Sequence, residues 1–124
     1  MSHSALRVGG VIPIEAGAAL TQGQLVKLSG STVIVCTASD VPFGVSMEAF
    51  EVGATASIGI CGAINGFVLL EASAAIALGA KVKPAAAGRV VTGTTGLQVA
   101  VALEAATAAG DRIECALLTP ITIS

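Results

Sequence analysis

The sequence contains no tryptophan and no tyrosine, and only three phenylalanines, Phe43, Phe50 and Phe67. Without stacking rings there is no platform for single-stranded nucleic acid or for sugars. Charge is equally scarce: Asp, Glu, Lys and Arg make up 11% of the chain, against about 25% in an ordinary soluble domain. The basic residues Arg7, Lys27, Lys81, Lys83, Arg89 and Arg112 form no run longer than Lys81-Val82-Lys83, and the formal net charge is −2. Binding a phosphate backbone needs a concentrated positive face, so nucleic acid is not an expected partner. The single histidine, His3, lies in the N-terminal segment, which argues against a His-dependent catalytic triad.

Cysteine is sparse and odd in number. Cys36, Cys61 and Cys115 each follow β-prone residues, and no C-x-x-C spacing suggests a metal or redox pair. They read as small hydrophobic residues on strands of a protein made in a reducing compartment. No acidic calcium-type loop or His-rich tract offers metal ligands. The segment Met1 to Arg7 lacks an apolar core of the signal-peptide kind. Long apolar runs are also wanting. The uncharged stretch Val52 to Leu70 is long enough for a bilayer, but Gly53, Thr55, Ser57, Gly59, Gly62, Asn65 and Gly66 interrupt it. Cys61-Gly62 and Asn65-Gly66 read as turns, so no membrane span is expected.

What the sequence does have is small and aliphatic side chains: 54% of its 124 residues are hydrophobic. That rules out disorder, because such a chain can bury enough surface to offset its conformational entropy. The length suits one domain, which as a compact monomer would expose roughly 6,000 Å². So few charges over that area leave large neutral or apolar faces, which mark contact surfaces. An oligomer, or a protein seated on another protein, is the expectation.

Short runs rich in β-branched residues alternate with Gly, Ser, Thr and Asp: Val33 to Cys36, Ala56 to Ile60, Phe67 to Leu70, Leu97 to Val101 and Arg112 to Cys115. They predict strands. Laid on itself at a shift of 56 residues, the chain aligns Glu15 to Lys27 with Glu71 to Lys83, and Val45 to Ala49 with Val101 to Ala105. Residues 8–49 against 64–105 share twelve identities without a gap, where composition alone gives about four. One inserted residue later, Ala56, Ile58 and Ile60 fall on Ile113, Cys115 and Leu117. The expected fold is all-β: a compact barrel or clip of two duplicated units, residues 8–60 and 64–118, closed to hide its edges. Glu71 to Leu78, ending at Gly79, has room for one short helix of two turns, marginal by itself. Residues 1–7 have no repeat partner and read as an arm. Residues 119–124 alternate and read as a tail or as an edge strand added across subunits.

No constellation carries chemistry. Glu48 and Glu104 occupy equivalent positions, as do Lys27 and Lys83. Two symmetry-related acids could meet across a barrel axis, or the four residues could line a small-molecule pocket. The blander reading, that each acid fixes a turn or pairs with one of these lysines, is the favoured one. Gly9-Gly10 and Gly93-Thr94-Thr95-Gly96 lack the lysine and helix of a phosphate loop and read as turns.

Six phrases, taken together, resemble the small head-decoration or capsid-cement proteins of tailed bacteriophages. They are Gly23-Gln-Leu-Val-Lys27, Gly44-Val-Ser-Met-Glu-Ala49, Gly79-Ala-Lys-Val-Lys-Pro84, Ala87-Gly-Arg-Val-Val-Thr92, Val99 to Ala106 and Ala109-Gly-Asp-Arg-Ile-Glu-Cys-Ala-Leu-Leu118. The resemblance runs from about Val11 to Leu118. It implies a β-rich, tulip-like domain on the capsid exterior, made in the host cytoplasm. It also implies self-association, with a trimer favoured, and docking on the major capsid protein so that neighbouring capsomers are held together. Neither catalytic residue nor cofactor comes with it. The arm Ser2, His3, Ser4, Ala5, Leu6 and Arg7 is then expected to order on contact with the shell or a neighbouring subunit.

Overall fold

The computed structural model of the chain describes residues 10–61 and 67–123. Its regular structure is strand apart from one 3-10 turn: β1 Val11–Ala16, β2 Leu25–Ser29, β3 Thr32–Val35, β4 Gly44–Ser46, β5 Thr55–Ile60, β6 Val68–Glu71, β7 Lys81–Pro84, β8 Val90–Thr92, β9 Gly96–Ala102 and β10 Arg112–Ile123. The first five close into a barrel in the order β1-β3-β2-β4-β5, and the last five form a sheet in the order β6-β10-β9-β7-β8. The barrel closes where β1 runs parallel to β3, with Glu15 opposite Thr32 and Ala16 opposite Val33. The second sheet curls the same way, β6 meeting β8 at the parallel bridge of Ala72 and Val90.

The two halves correspond strand for strand. The isolated antiparallel bridge of Leu20 and Phe50 has its counterpart in Ile76 and Ala106. Gly17 N–H donates to Val33 O at 2.8 Å, and Ser73 N–H donates to Val90 O at 2.8 Å. Inside the barrel lie Ala16, Leu20, Val26, Val33, Ala56 and Ile58. Their equivalents Ala72, Ile76, Val82, Val90, Ile113 and Cys115 all belong to the core of the second half. Each Val, Leu or Ile so buried contributes about 1.5–3 kcal/mol.

The equivalence is not gapless. Val26 pairs with Val35 in one half and Val82 with Thr92 in the other, so Val35 matches Thr92 and not Val91. The extra residue sits in the turn between β7 and β8, a single 3-10 turn at Ala86–Gly88 in which Ala87 has φ 60. By β4 and β9 the register has recovered, with Val26 opposite Gly44 and Val82 opposite Ala100.

Residues 71–78 form no helix, contrary to expectation. Ala72 N–H donates to Asp111 O at 2.8 Å, Ser73 N–H to Val90 O at 2.8 Å and Ile76 N–H to Ala106 O at 2.9 Å. A helix would leave the Ala72 and Ser73 N–H groups without internal acceptors and would turn Ile76 N–H to Ala72 O; here all three are satisfied by partners elsewhere in the half, which two marginal helical turns cannot match. Among the described residues no helix is long and apolar enough to cross a membrane; the stretch that invited that test contains β5 and most of β6. Residues 119–123 continue β10, and Ile121 to Ile123 pair with Gln98 to Gly96 of the same chain after a bulge. Pro120, which has no N–H for a ladder, falls within that bulge.

Strand alternation also builds the seam between the halves. Val26 points into the barrel, so its neighbour Leu25 points out, and Leu25, Cys36 and Val45 join the core of the second half. Backbone and side-chain bonds line the same seam. Glu71 N–H donates to Gly23 O at 3.1 Å and Gly88 N–H to Cys36 O at 2.9 Å. Gln24 Nε2 donates to Ala87 O at 3.1 Å and Arg112 Nε to Gln22 O at 2.9 Å.

Candidate functional site

Seven of the ionised groups among the described residues, Lys27, Asp40, Glu71, Arg89, Glu104, Asp111 and Arg112, are engaged in ion pairs or backbone hydrogen bonds. Lys27 Nζ lies 2.9 Å from Asp40 Oδ2, and Asp40 also accepts from Thr37 N–H and Thr37 Oγ1 at 2.8 and 2.9 Å. These bonds, chiefly those from Thr37 and Lys27, hold the Asp40 carboxyl down to about 2. Asp111 accepts from the N–H groups of Thr107 and Ala108 and from the Thr107 hydroxyl, which hold its carboxyl below the usual range. At the seam, Glu71 lies 2.7 Å from Arg89 Nε and 3.7 Å from Arg112 Nη2.

The symmetric quartet does not assemble. Glu104 Oε1 accepts from Glu114 N–H at 2.7 Å, fixing the turn before β10. Glu48 instead lines a shallow depression at the seam with Thr21, Gln22, Ala49 and Arg112, about 380 Å³ in volume. Lys27 pairs with Asp40 and with neither glutamate, so of the two expected alternatives Glu104 takes the turn-fixing one, and no lysine pairing of Glu48 or Glu104 is seen among the described residues. Lys83 lies beneath the turn that follows β8, against Gly93. The four residues therefore share no site.

The cysteines are free, Cys36 and Cys115 buried and Cys61 half-buried. Burial pushes the Cys36 thiol up to about 12 and those of Cys61 and Cys115 up to about 11. Near neutral pH they carry almost no thiolate and act as small core side chains. Among the described residues no three His, Cys, Asp or Glu side chains group as metal ligands.

What the molecule presents is apolar surface. Its accessible area is 6173 Å², and Leu28, Val41, Val52, Phe67, Leu78 and Ile121 stand exposed on it. Phe67 borders a second cleft of about 220 Å³ with Gln22, Ser46, Met47, Val68 and Leu69, again at the seam. Sequence reasoning missed this clustering at the seam. The one available signal was the divergence of equivalent positions, such as Leu25 against Lys81. The expected arm, Ser2 to Arg7, lies outside the described residues.

Such a surface, rich in exposed aliphatic side chains and with no metal-ligand grouping among the described residues, suits binding to other protein. No curated protein matches the chain. A family model described as phage cement protein matches residues 6–117. With that match covering most of the sequence, the chain belongs to the phage cement protein family.

Proposed function

We propose that this protein decorates the exterior of an assembled phage capsid as an oligomer, a trimer being favoured, and bridges neighbouring capsomers through the major capsid protein. Family membership gives the structural role on the capsid and the place in the virion. The observation that carries the finer reading is the surface itself. A chain with six basic and eight acidic side chains spreads them over 6173 Å² and leaves large aliphatic side chains exposed between them. A clamp of this kind needs many modest contacts and no reactive group. Repetition over a symmetric shell multiplies those contacts into firm attachment.

The arm Ser2 to Arg7 fits the same role, since a short polar segment without a repeat partner can order when it meets a shell or a neighbouring subunit. Synthesis in the host cytoplasm, before attachment to the finished shell, accords with three free cysteines. The test is co-sedimentation of the purified protein with expanded, undecorated capsids. The full chain should pellet with the shells, and a chain lacking residues 1–7 should pellet less. Equal pelleting of the two would remove the arm from the account, and no pelleting of either would remove the capsid role.

A further inference from the structure

The seam inside the chain joins two unlike faces. The first half contributes the start of β2, the end of β3 and β4; the second contributes β6, the β7–β8 turn and the start of β10. Were the halves related by a two-fold axis, the bond from Glu71 N–H to Gly23 O would have a twin from Glu15 to Gly79. Glu15 instead lies between Thr32 and Thr55 inside the barrel wall. The contact is heterologous, and a heterologous contact leaves one copy of each face uncovered.

Those uncovered faces can be named by equivalence. Where the first half has Leu25 and Val45 fully buried in the seam, the second has Lys81 exposed and Val101 half-buried. Flanking them, Gln22 and Met47 become Leu78, 69% exposed, and Leu103, 37% exposed. On the opposite face, the seam residues Phe67, Leu69 and Glu71 correspond to Val11, Pro13 and Glu15, all exposed. The charges differ in a complementary sense. Glu71 is held by Arg89 and Arg112, but the residues equivalent to those arginines are Thr32 and Thr55. Glu15 has no ion pair among the described residues, while the other face has gained a cation at Lys81.

We propose that these two faces bind each other between copies of the chain, repeating the internal seam head to tail. Lys81 of one copy meets Glu15 of the next, and Leu78 and Leu103 cover Val11 and Pro13. A contact of this kind closes into a ring or grows into a filament; three chains in a ring would place six equivalent β units in sequence. The inference rests on the reading of the protein as self-associating, and not on what the assembly docks to.

The test uses the full chain in solution, with mass measured by light scattering after gel filtration. Leu78→Asp and Val11→Asp each alter an exposed side chain, and an unchanged far-UV circular dichroism spectrum with a cooperative melt confirms the fold, the melting temperature itself being expected to fall with loss of association. Each variant alone should be monomeric, its self-association weakened by at least about tenfold, or about 1.4 kcal/mol. An equal mixture should give 1:1 dimers that grow no further, because one intact face of each kind remains. In a second series Lys81→Glu and Glu15→Lys should each weaken association, and the two changes in one chain should restore it. A wild-type chain that stays monomeric would overturn self-association and this contact together. An oligomeric wild type whose single variants also remain oligomeric, or whose mixed variants stay monomeric, would overturn this contact alone.

Discussion

At the scale of single residues, stability depends on where the backbone allows no Cβ. A Cβ on Gly44 would lie 2.5 Å from Gly59 O and 2.7 Å from Ile58 Cγ2, so β4 and β5 can approach only because position 44 is glycine. Gly44→Ala should lower stability by about 1–3 kcal/mol, the usual cost of overpacking, measured by urea unfolding. An unchanged midpoint would mean that the barrel wall yields. Gly88 has the second requirement: its φ is +72 and a Cβ would meet Leu25 O at 2.9 Å across the seam. Charge contributes at Asp40. Its carboxyl is held down to about 2 from 3.8, so the stability it adds is complete above the ordinary value and is lost as pH falls from about 4 towards 2. Asp40→Asn should flatten the loss of stability over that interval, read as melting temperature against pH. A variant with the wild-type acid profile would show that the Thr37 and Lys27 bonds contribute nothing there.

At the scale of elements, alternation and turn residues are enough to read the strands, because Val, Ile and Leu recur with period two and Gly interrupts them. The internal similarity is visible partly for the same reason, since Gly23, Ala16 and Val26 recur 56 residues on as Gly79, Ala72 and Val82, and partly because Glu15, Lys27 and Glu48 recur with them. The short helix is misread when the segment is judged by propensity alone: Ala72, Ala74, Ala75 and Ala77 favour helix in isolation, whereas the N–H groups of Ala72, Ser73 and Ile76 reach Asp111, Val90 and Ala106. Its copy in the first half, with Gly17 and Thr21 at equivalent positions, already argues against a helix. The seam is less legible. Periodicity shows that Leu25 points out of the barrel wall, but not which neighbour covers it. Leu25 is fully buried there, so Leu25→Ala should cost about 2–5 kcal/mol by chemical denaturation. A cost well under about 1 kcal/mol would mean that the halves do not depend on each other through this side chain.

At the scale of the whole molecule, the chain is two similar β units joined through unlike faces, with few charges and much exposed aliphatic surface. The candidate site is legible in the sequence only as a composition: scarce charge predicts contact surfaces, while their location requires the three-dimensional seam. On the proposed reading, affinity comes from repetition over the shell and not from a prepared pocket. The most direct measurement is electron cryomicroscopy of capsids before and after addition of the purified protein. The account predicts new density on the shell exterior at symmetry positions, each feature a ring of β units touching at least two capsomers. Density confined to the shell interior or to the tail, or isolated monomers each resting on one capsid subunit, would contradict it.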